Sequence, residues 1–256
     1  MVIFTDTHAH VYSEEFNTDK IECFERSITT GVTRIFVPNI DVESIKVLKD
    51  ICSQFSSHYF PMMGLHPCSV KDDYKEQLDV IYKELKSEKY YAVGEIGMDL
   101  FWDKTTFEIQ KTAFIEQAGW AIKFDLPVSI HSRNATPELI KIIKDEKLNN
   151  LRGVFHCFSG DKDEAEELIN MGFYLGIGGV VTYKNSTLPA TLLNVNPDKL
   201  VLETDAPYLP PTPFRGKRNE TSYIPIIAEK LAMIYGKSVQ EIAEITTNNS
   251  KQIFGI

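Results

Sequence analysis

Eight short runs of β-branched and aromatic residues, separated by longer stretches of helical period, constrain the fold of this chain more than any other feature. The runs cover residues 2–5, 34–38, 59–64, 90–94, 127–130, 153–155, 173–177 and 199–202. Helical segments are expected near 14–30, 42–55, 73–87, 105–124, 135–147, 161–171, 187–194, 223–235 and 238–253. Ile21, Phe24 and Ile28, and again Leu139, Ile142 and Ile143, give the one-sided apolar stripe of helices laid on a sheet. Thr18-Asp19 and Ser238 read as helix starts, and Gly31, Gly172 and Gly236 as helix stops. Strand followed by helix, repeated eight times, predicts parallel βα units closing on themselves. The expected fold is therefore α/β, a single (β/α)8 TIM barrel with an extra C-terminal helix. A length of 256 residues matches the roughly 250 of such a barrel, so one domain over 1–256 is expected. A doubly wound open sheet would carry a Gly-rich turn after its first strand. Here that turn holds His8 and His10, with no glycine before Gly31.

Composition narrows the class. With 43% hydrophobic and 25% charged residues, the chain is neither disordered nor fibrous. No apolar run approaches the roughly 20 residues of a membrane span. Met1-Val2-Ile3-Phe4 runs into polar Thr5-Asp6-Thr7 without the basic flank or cleavage site of a signal peptide. Cys23, Cys52, Cys68 and Cys157 have no C-x-x-C spacing, so neither a disulfide framework nor a thiolate zinc site is indicated. A cytoplasmic protein is expected. The 27 basic and 36 acidic residues leave a net charge of -9, which argues against a broad basic surface for gripping duplex nucleic acid. A nucleic-acid enzyme remains open, because bound cations can themselves present positive charge to phosphate.

The chemistry lies just beyond the apolar runs. In a parallel barrel the carboxyl ends of the strands share one mouth, where reactions are done. His8 and His10 follow the first run, Glu95 the fourth, His131 the fifth, His156 the sixth and Asp205 the eighth. Five of the six histidines fall just after a predicted strand; His58, ahead of the third, does not. In an extended chain residues two apart point the same way, so His8 and His10 can converge on one ion. Four imidazoles and two carboxylates exceed the needs of one tetrahedral ion and suit two ions sharing a carboxylate. Glu95, midway in the strand order, is the natural bridge. His8, His10 and Asp205 would surround one ion with it, and His131 and His156 the other. Such a pair turns water into hydroxide at neutral pH and polarises a phosphoryl or carbonyl oxygen. Asp205 can also take the proton of the attacking water, which makes Asp205 and Glu95 the expected catalytic residues.

Seven ordered motifs carry a family resemblance over almost the whole chain: Asp6-Thr7-His8-Ala9-His10, Gly64-Leu65-His66-Pro67, Gly94-Glu95-Ile96-Gly97-Met98-Asp99, His131-Ser132-Arg133, His156-Cys157-Phe158-Ser159-Gly160, Glu203-Thr204-Asp205-Ala206-Pro207-Tyr208 and Arg215-Gly216-Lys217-Arg218-Asn219-Glu220. Together they resemble the TatD family of metal-dependent deoxyribonucleases, within the amidohydrolase superfamily. The resemblance implies a phosphodiesterase acting on DNA with two divalent ions, Mg, Mn or Zn. It places metal ligands on the same His8, His10, Glu95, His131, His156 and Asp205. Departures fall at Asn134, at Met98-Asp99-Leu100-Phe101 and at Thr221, none of them a ligand position.

The expected activity is hydrolysis of single-stranded or frayed DNA as an exonuclease, with no membrane or protein partner. Arg133 and Arg215 can each clamp a phosphate through paired hydrogen bonds, or serve in surface salt bridges. His66 can touch substrate, orient a ligand or be structural. Lys217 and Arg218 fit a solvated loop or a DNA contact. Asp6, Asp99 and Glu203 can support neighbouring ligands. Phe101 and Trp102 can stack on a nucleobase or simply pack. The rival readings are a metal-dependent amidase or lactonase of the same superfamily, and a non-catalytic binding barrel.

Overall fold

Short β-branched runs fold as strands, and a parallel sheet buries both their faces, so each needs a helix outside and a neighbour inside. The computed structural model describes residues 2–256; Met1, the first residue of the expected domain, lies outside the described residues. Strands and helices alternate as β1 (Phe4–Asp6), α1 (Lys20–Thr29), β2 (Val32–Val37), α2 (Ser44–Gln54), β3 (Tyr59–Pro61), α3 (Tyr74–Ser87), β4 (Val93–Asp99), α4 (Phe107–Phe124), β5 (Val128–Arg133), α5 (Thr136–Asp145), β6 (Gly153–Phe155), α6 (Lys162–Asn170), β7 (Tyr174–Ile177), α7 (Leu188–Leu192) and β8 (Leu200–Leu202). Helices α8 (Ile224–Tyr235) and α9 (Val239–Phe254) complete the order.

All regular pairings are parallel, β1-β2-β3 in one sheet and β4-β5-β6-β7-β8 in the other. The two seams are closed by less regular bonds. At the first, the Met63 N–H donates to the Ala92 carbonyl and the Gly94 N–H to the Met63 carbonyl, both at 3.1 Å. At the second, the Thr7 N–H donates to the Leu202 carbonyl at 2.9 Å, and Ala9 bridges Ala206 in parallel. The result is the expected TIM barrel.

The ends of the barrel differ in chemistry. At the amino-terminal end Phe36, Met62, Val154 and Val201 form an apolar layer with Ile253 and Phe254, and the Phe36 and Phe254 rings stack at 3.9 Å. The extra helix α9 delivers that plug. A capping box at Ser238 and Glu241 starts it, and Asn249 ties it down by donating to the Leu200 carbonyl at 2.7 Å. Polar side chains are left to the opposite mouth.

Two boundaries differ from expectation. The segment expected as a helix from residue 14 begins at Lys20, after a short 3-10 turn at Glu14–Phe16. Asp19, the residue before the helix, makes no side-chain cap bond; its carboxylate is taken by Arg218. Strand β4 runs on to Asp99, past the expected end at Gly94. Its extension passes Gly97 at φ 134°, where a Cβ would stand 2.1 Å from the His131 carbonyl oxygen. Among the described residues no helix is long and apolar enough to cross a membrane.

Candidate metal centre

The strand ends set the site. Asp6, fully buried at the end of β1, accepts from the His8 N–H at 3.2 Å and from the Thr204 N–H and hydroxyl at 3.0 and 2.6 Å. It thereby locks the segment carrying His8 and His10 to the one carrying Asp205. Burial pushes the Asp6 carboxyl up to about 8 against these bonds. Asp205 itself lies at φ 56°, in the left-handed region that a non-glycine residue rarely enters.

Glu95, 2% exposed, is the centre of the cluster. Its Oε2 lies 3.1 Å from His8 Nε2 and 3.3 Å from His10 Nε2. Its Oε1 lies 2.8 Å from both His131 Nδ1 and His156 Nε2, and 3.3 Å from His66 Nε2. Asp205 Oδ1 stands 3.8 Å from His8 Nε2 and 3.6 Å from His10 Nε2. The separation into two groups is not complete. The rings of His8 and His156 stack at 3.8 Å, and His8, His156 and Asp205 also form a group of ligand atoms within 4.8 Å of one another.

The outer hydrogen bonds decide which nitrogen of each ring carries its proton. Asp99 Oδ2 faces His131 Nε2 at 3.0 Å, so the neutral ring is protonated there and turns a bare Nδ1 to Glu95. The Tyr12 hydroxyl donates to the Pro38 carbonyl at 2.9 Å, which leaves it to accept from His10 Nδ1 at 3.3 Å and frees His10 Nε2. Ser129 Oγ braces His8 Nδ1 at 3.0 Å. His156 Nδ1 has Glu203 Oε1 at 3.6 Å and, among the described residues, no hydrogen-bond partner. His66 is the opposite case: its Nδ1 accepts the Cys68 N–H at 3.0 Å, so Nε2 carries the proton and donates to Glu95.

His8, His10, His131 and His156 thus each turn a ring nitrogen toward one carboxylate. The donors are imidazole and carboxylate, a set that suits divalent transition metals. The rings of His131 and His10 are held from behind by Asp99 and Tyr12, the usual arrangement for metal-ligating histidines. The residues fit a metal centre.

Burial and charge compete throughout the cluster. Burial, with His156 alongside, pulls the His8 ring well below its ordinary value. Burial opposes protonation of His156 too, but the charges of Glu95 and Glu203 outweigh it and raise that ring well above. Burial works against an ionised Glu95, yet His156, His66 and His8 hold its carboxyl well below the usual range. Burial pushes Asp205 up to about 6, against the pull of His156 and His10.

The other expected site residues are placed differently. His66 stands against Glu95 inside the cluster. Arg133 is exposed at the end of β5, its guanidinium 4.0 Å over the Phe101 ring. Arg215 is exposed with its guanidinium 3.9 Å over the Tyr183 ring. Among the described residues neither forms an ion pair. Arg218 does not share this freedom, since Asp19 holds it through two oxygens at 2.6 and 2.7 Å. Tyr12 and Ser129 were not anticipated from the sequence. Each lies two residues from a ligand, Tyr12 after His10 and Ser129 before His131, and that spacing was the available signal.

Comparison with known proteins places this chain among relatives. The family model described as TatD related DNase matches residues 5–255. The uncharacterized metal-dependent hydrolase YabD of Bacillus subtilis is 40% identical over 252 residues, covering 98% of each chain. A 3'-5' ssDNA/RNA exonuclease TatD from a Rahnella species is 28% identical over 251 residues, 95% of each. The crystal structure of YjjV, a TatD homolog from Escherichia coli, superposes with a TM-score of 0.94 at 31% identity, covering 100% of both chains.

Proposed function

The chain belongs to the TatD family of metal-dependent hydrolases, and on that premise we propose that it hydrolyses phosphodiester bonds in DNA as an exonuclease on single-stranded or frayed ends. The whole of 1–256 acts as one hydrolase domain, and four free cysteines accord with work in the cytoplasm. The observation that carries the reading is Glu95, whose Oε2 faces His8 and His10 and whose Oε1 faces His131 and His156.

In this reading two divalent ions, Mg, Mn or Zn, are held there. His8, His10 and Asp205 with Glu95 would hold one, and His131 and His156 with Glu95 the other. Such ions supply Lewis-acid charge to phosphoryl oxygens and acidify water. The chain does the rest. Asp205, at the rim and 14% exposed in its side chain, takes the proton of the attacking water on Oδ1. Tyr12, Ser129, Asp99 and Glu203 keep the rings turned inward. Arg133 and Arg215 present planar, unpaired guanidinium groups to the phosphates of a single strand. A neutral amide or lactone would leave both without a partner, which favours the nuclease over the amidase reading.

The test is a set of single-stranded oligonucleotides labelled at the 5' or the 3' end, incubated with chelator-treated protein reloaded with Mg, Mn or Zn. A one-nucleotide ladder from one end is expected. No cleavage with any of the metals, together with turnover of a cyclic amide or ester, overturns the proposal.

A further inference from the structure

Phe101 and Trp102 lie in the loop after β4, the strand that carries Glu95, and they are 50% and 70% exposed. Their rings meet edge to face at 5.0 Å. Two adjacent large aromatic side chains left in water mark a surface built for contact. Their placement is fixed from below by a residue that also serves the metal centre. Asp99 Oδ1 accepts the Phe101 and Trp102 N–H groups at 3.0 and 3.2 Å, while its Oδ2 holds His131 at 3.0 Å. Arg133 completes the group, with its guanidinium 4.0 Å from the centre of the Phe101 ring and 5.1 Å from that of Trp102. Lying over a ring, a guanidinium keeps its N–H edge free for an anion.

We propose that Trp102 and Phe101, with Arg133, form a subsite for one unpaired nucleobase and its phosphate, and that this subsite makes the enzyme select single-stranded substrate. The inference rests on the phosphodiesterase reading above. Aromatic stacking is indifferent to base identity but needs an open base face. A base inside a duplex has none, so only a strand end that is single or frayed engages the platform. The anchor on Asp99 sets the platform at a constant distance from His131, and so from the bond to be cut.

The experiment compares a single-stranded 12-mer with a fully abasic 12-mer of the same charge, in wild type and in Trp102→Ala, Phe101→Ala and Trp102→Tyr. The ratio of kcat/KM for the two oligomers is expected to fall about tenfold in each alanine variant, mostly through KM, and to be largely restored by tyrosine. An unchanged ratio overturns the subsite while leaving the nuclease intact. Fluorescence provides an arm that does not depend on cleavage, because Trp120, the other tryptophan, is buried at 8% exposure. Quenching of wild type by the 12-mer, absent in Trp102→Tyr and weak with the abasic oligomer, supports the subsite. Equal quenching by both oligomers assigns the attraction to charge alone and overturns it. If wild type cleaves neither oligomer, the phosphodiesterase reading fails by itself, and quenching still decides whether a base stacks here.

Discussion

Two clusters of ionisable side chains in this molecule are chemically opposite. Between α1 and the loop before α8, Asp19, Arg26, Arg218 and Glu220 pair two anions with two cations. Arg218 meets Asp19 at 2.6 Å and Arg26 meets Glu220 at 2.7 Å. At the barrel mouth the count does not close. Glu95 faces ring nitrogens of His8, His10, His131 and His156, and Asp205 stands close by. A cluster that neutralises itself is complete as a fastening, here of the basic loop onto α1. One that gathers four imidazoles on a single buried carboxylate does not neutralise itself, and its donor set is one that a metal cation would complete. The same difference separates the arginines: Arg218 is consumed by the first cluster, whereas Arg133 and Arg215 lie over aromatic rings with their edges open.

The largest effect should come from removing the charge at the centre of the open cluster. Glu95→Gln keeps the shape but loses the carboxylate that both sets of imidazoles share. Activity is expected to fall on the order of a thousandfold, since several kcal/mol of charge stabilisation depend on the ions. Bound metal, measured by plasma mass spectrometry, should fall below one ion per chain. Metal added to chelated wild type should raise Tm by mass action, and in Glu95→Gln by much less. If Glu95→Gln retains full metal content, the contrast between the clusters is wrong.

Within the open cluster the braces are themselves unequal. His131 is braced by the carboxylate of Asp99, His10 by the neutral hydroxyl of Tyr12. An ionised brace fixes the tautomer and makes the ring a stronger donor. Asp99→Asn is expected to weaken metal binding by about 10- to 100-fold, because an amide can offer an N–H to His131 Nε2 and move the ring proton onto Nδ1. Tyr12→Phe should cost less than about tenfold. Chelator competition measures both, and equal losses would erase the distinction between ionised and neutral braces.

Much of the open cluster was legible in the sequence, because strand ends and two-residue parity are local. They brought His8, His10, Glu95, His131, His156 and Asp205 to one mouth. Parity also reached Tyr12 and Ser129 in principle, but a tyrosine and a serine carry no signal until their partners are known. The orientation of His66 was not readable, since it depends on the Cys68 N–H in the turn that follows. The closed cluster was invisible for a different reason. Asp19 looked like a helix cap, and its real partner, Arg218, is far away in sequence. The early stop assigned to the fourth strand has the same character. Glu95-Ile96-Gly97-Met98-Asp99 breaks the apolar run, and only the neighbouring β5 shows that the backbone continues as strand.

The smallest expected effect lies in the closed cluster, and it tests whether that cluster is only a fastening. Arg218, and behind it Arg26, hold the Asp19 carboxyl below the usual carboxylate range, the Arg218 hydrogen bonds contributing most. A carboxyl depressed in the folded state stabilises the fold above its unfolded value, about 3.9 for aspartate, and loses that contribution as pH falls through the folded value. The pair is partly exposed, at 26% and 29% of side-chain area, so its worth is near the upper end for surface pairs, about 1 kcal/mol. Asp19→Asn should therefore lower Tm by about 2–4 °C at pH 7. The gap to wild type should narrow below pH 4 and close further in acid. Metal content and oligonucleotide hydrolysis should stay at wild-type levels. A gap that persists unchanged at pH 3 would mean that packing around Phe16 and Cys23 holds the loop. A loss of metal in Asp19→Asn would mean that the two clusters are coupled through the 215–220 loop and that the fastening is part of the site.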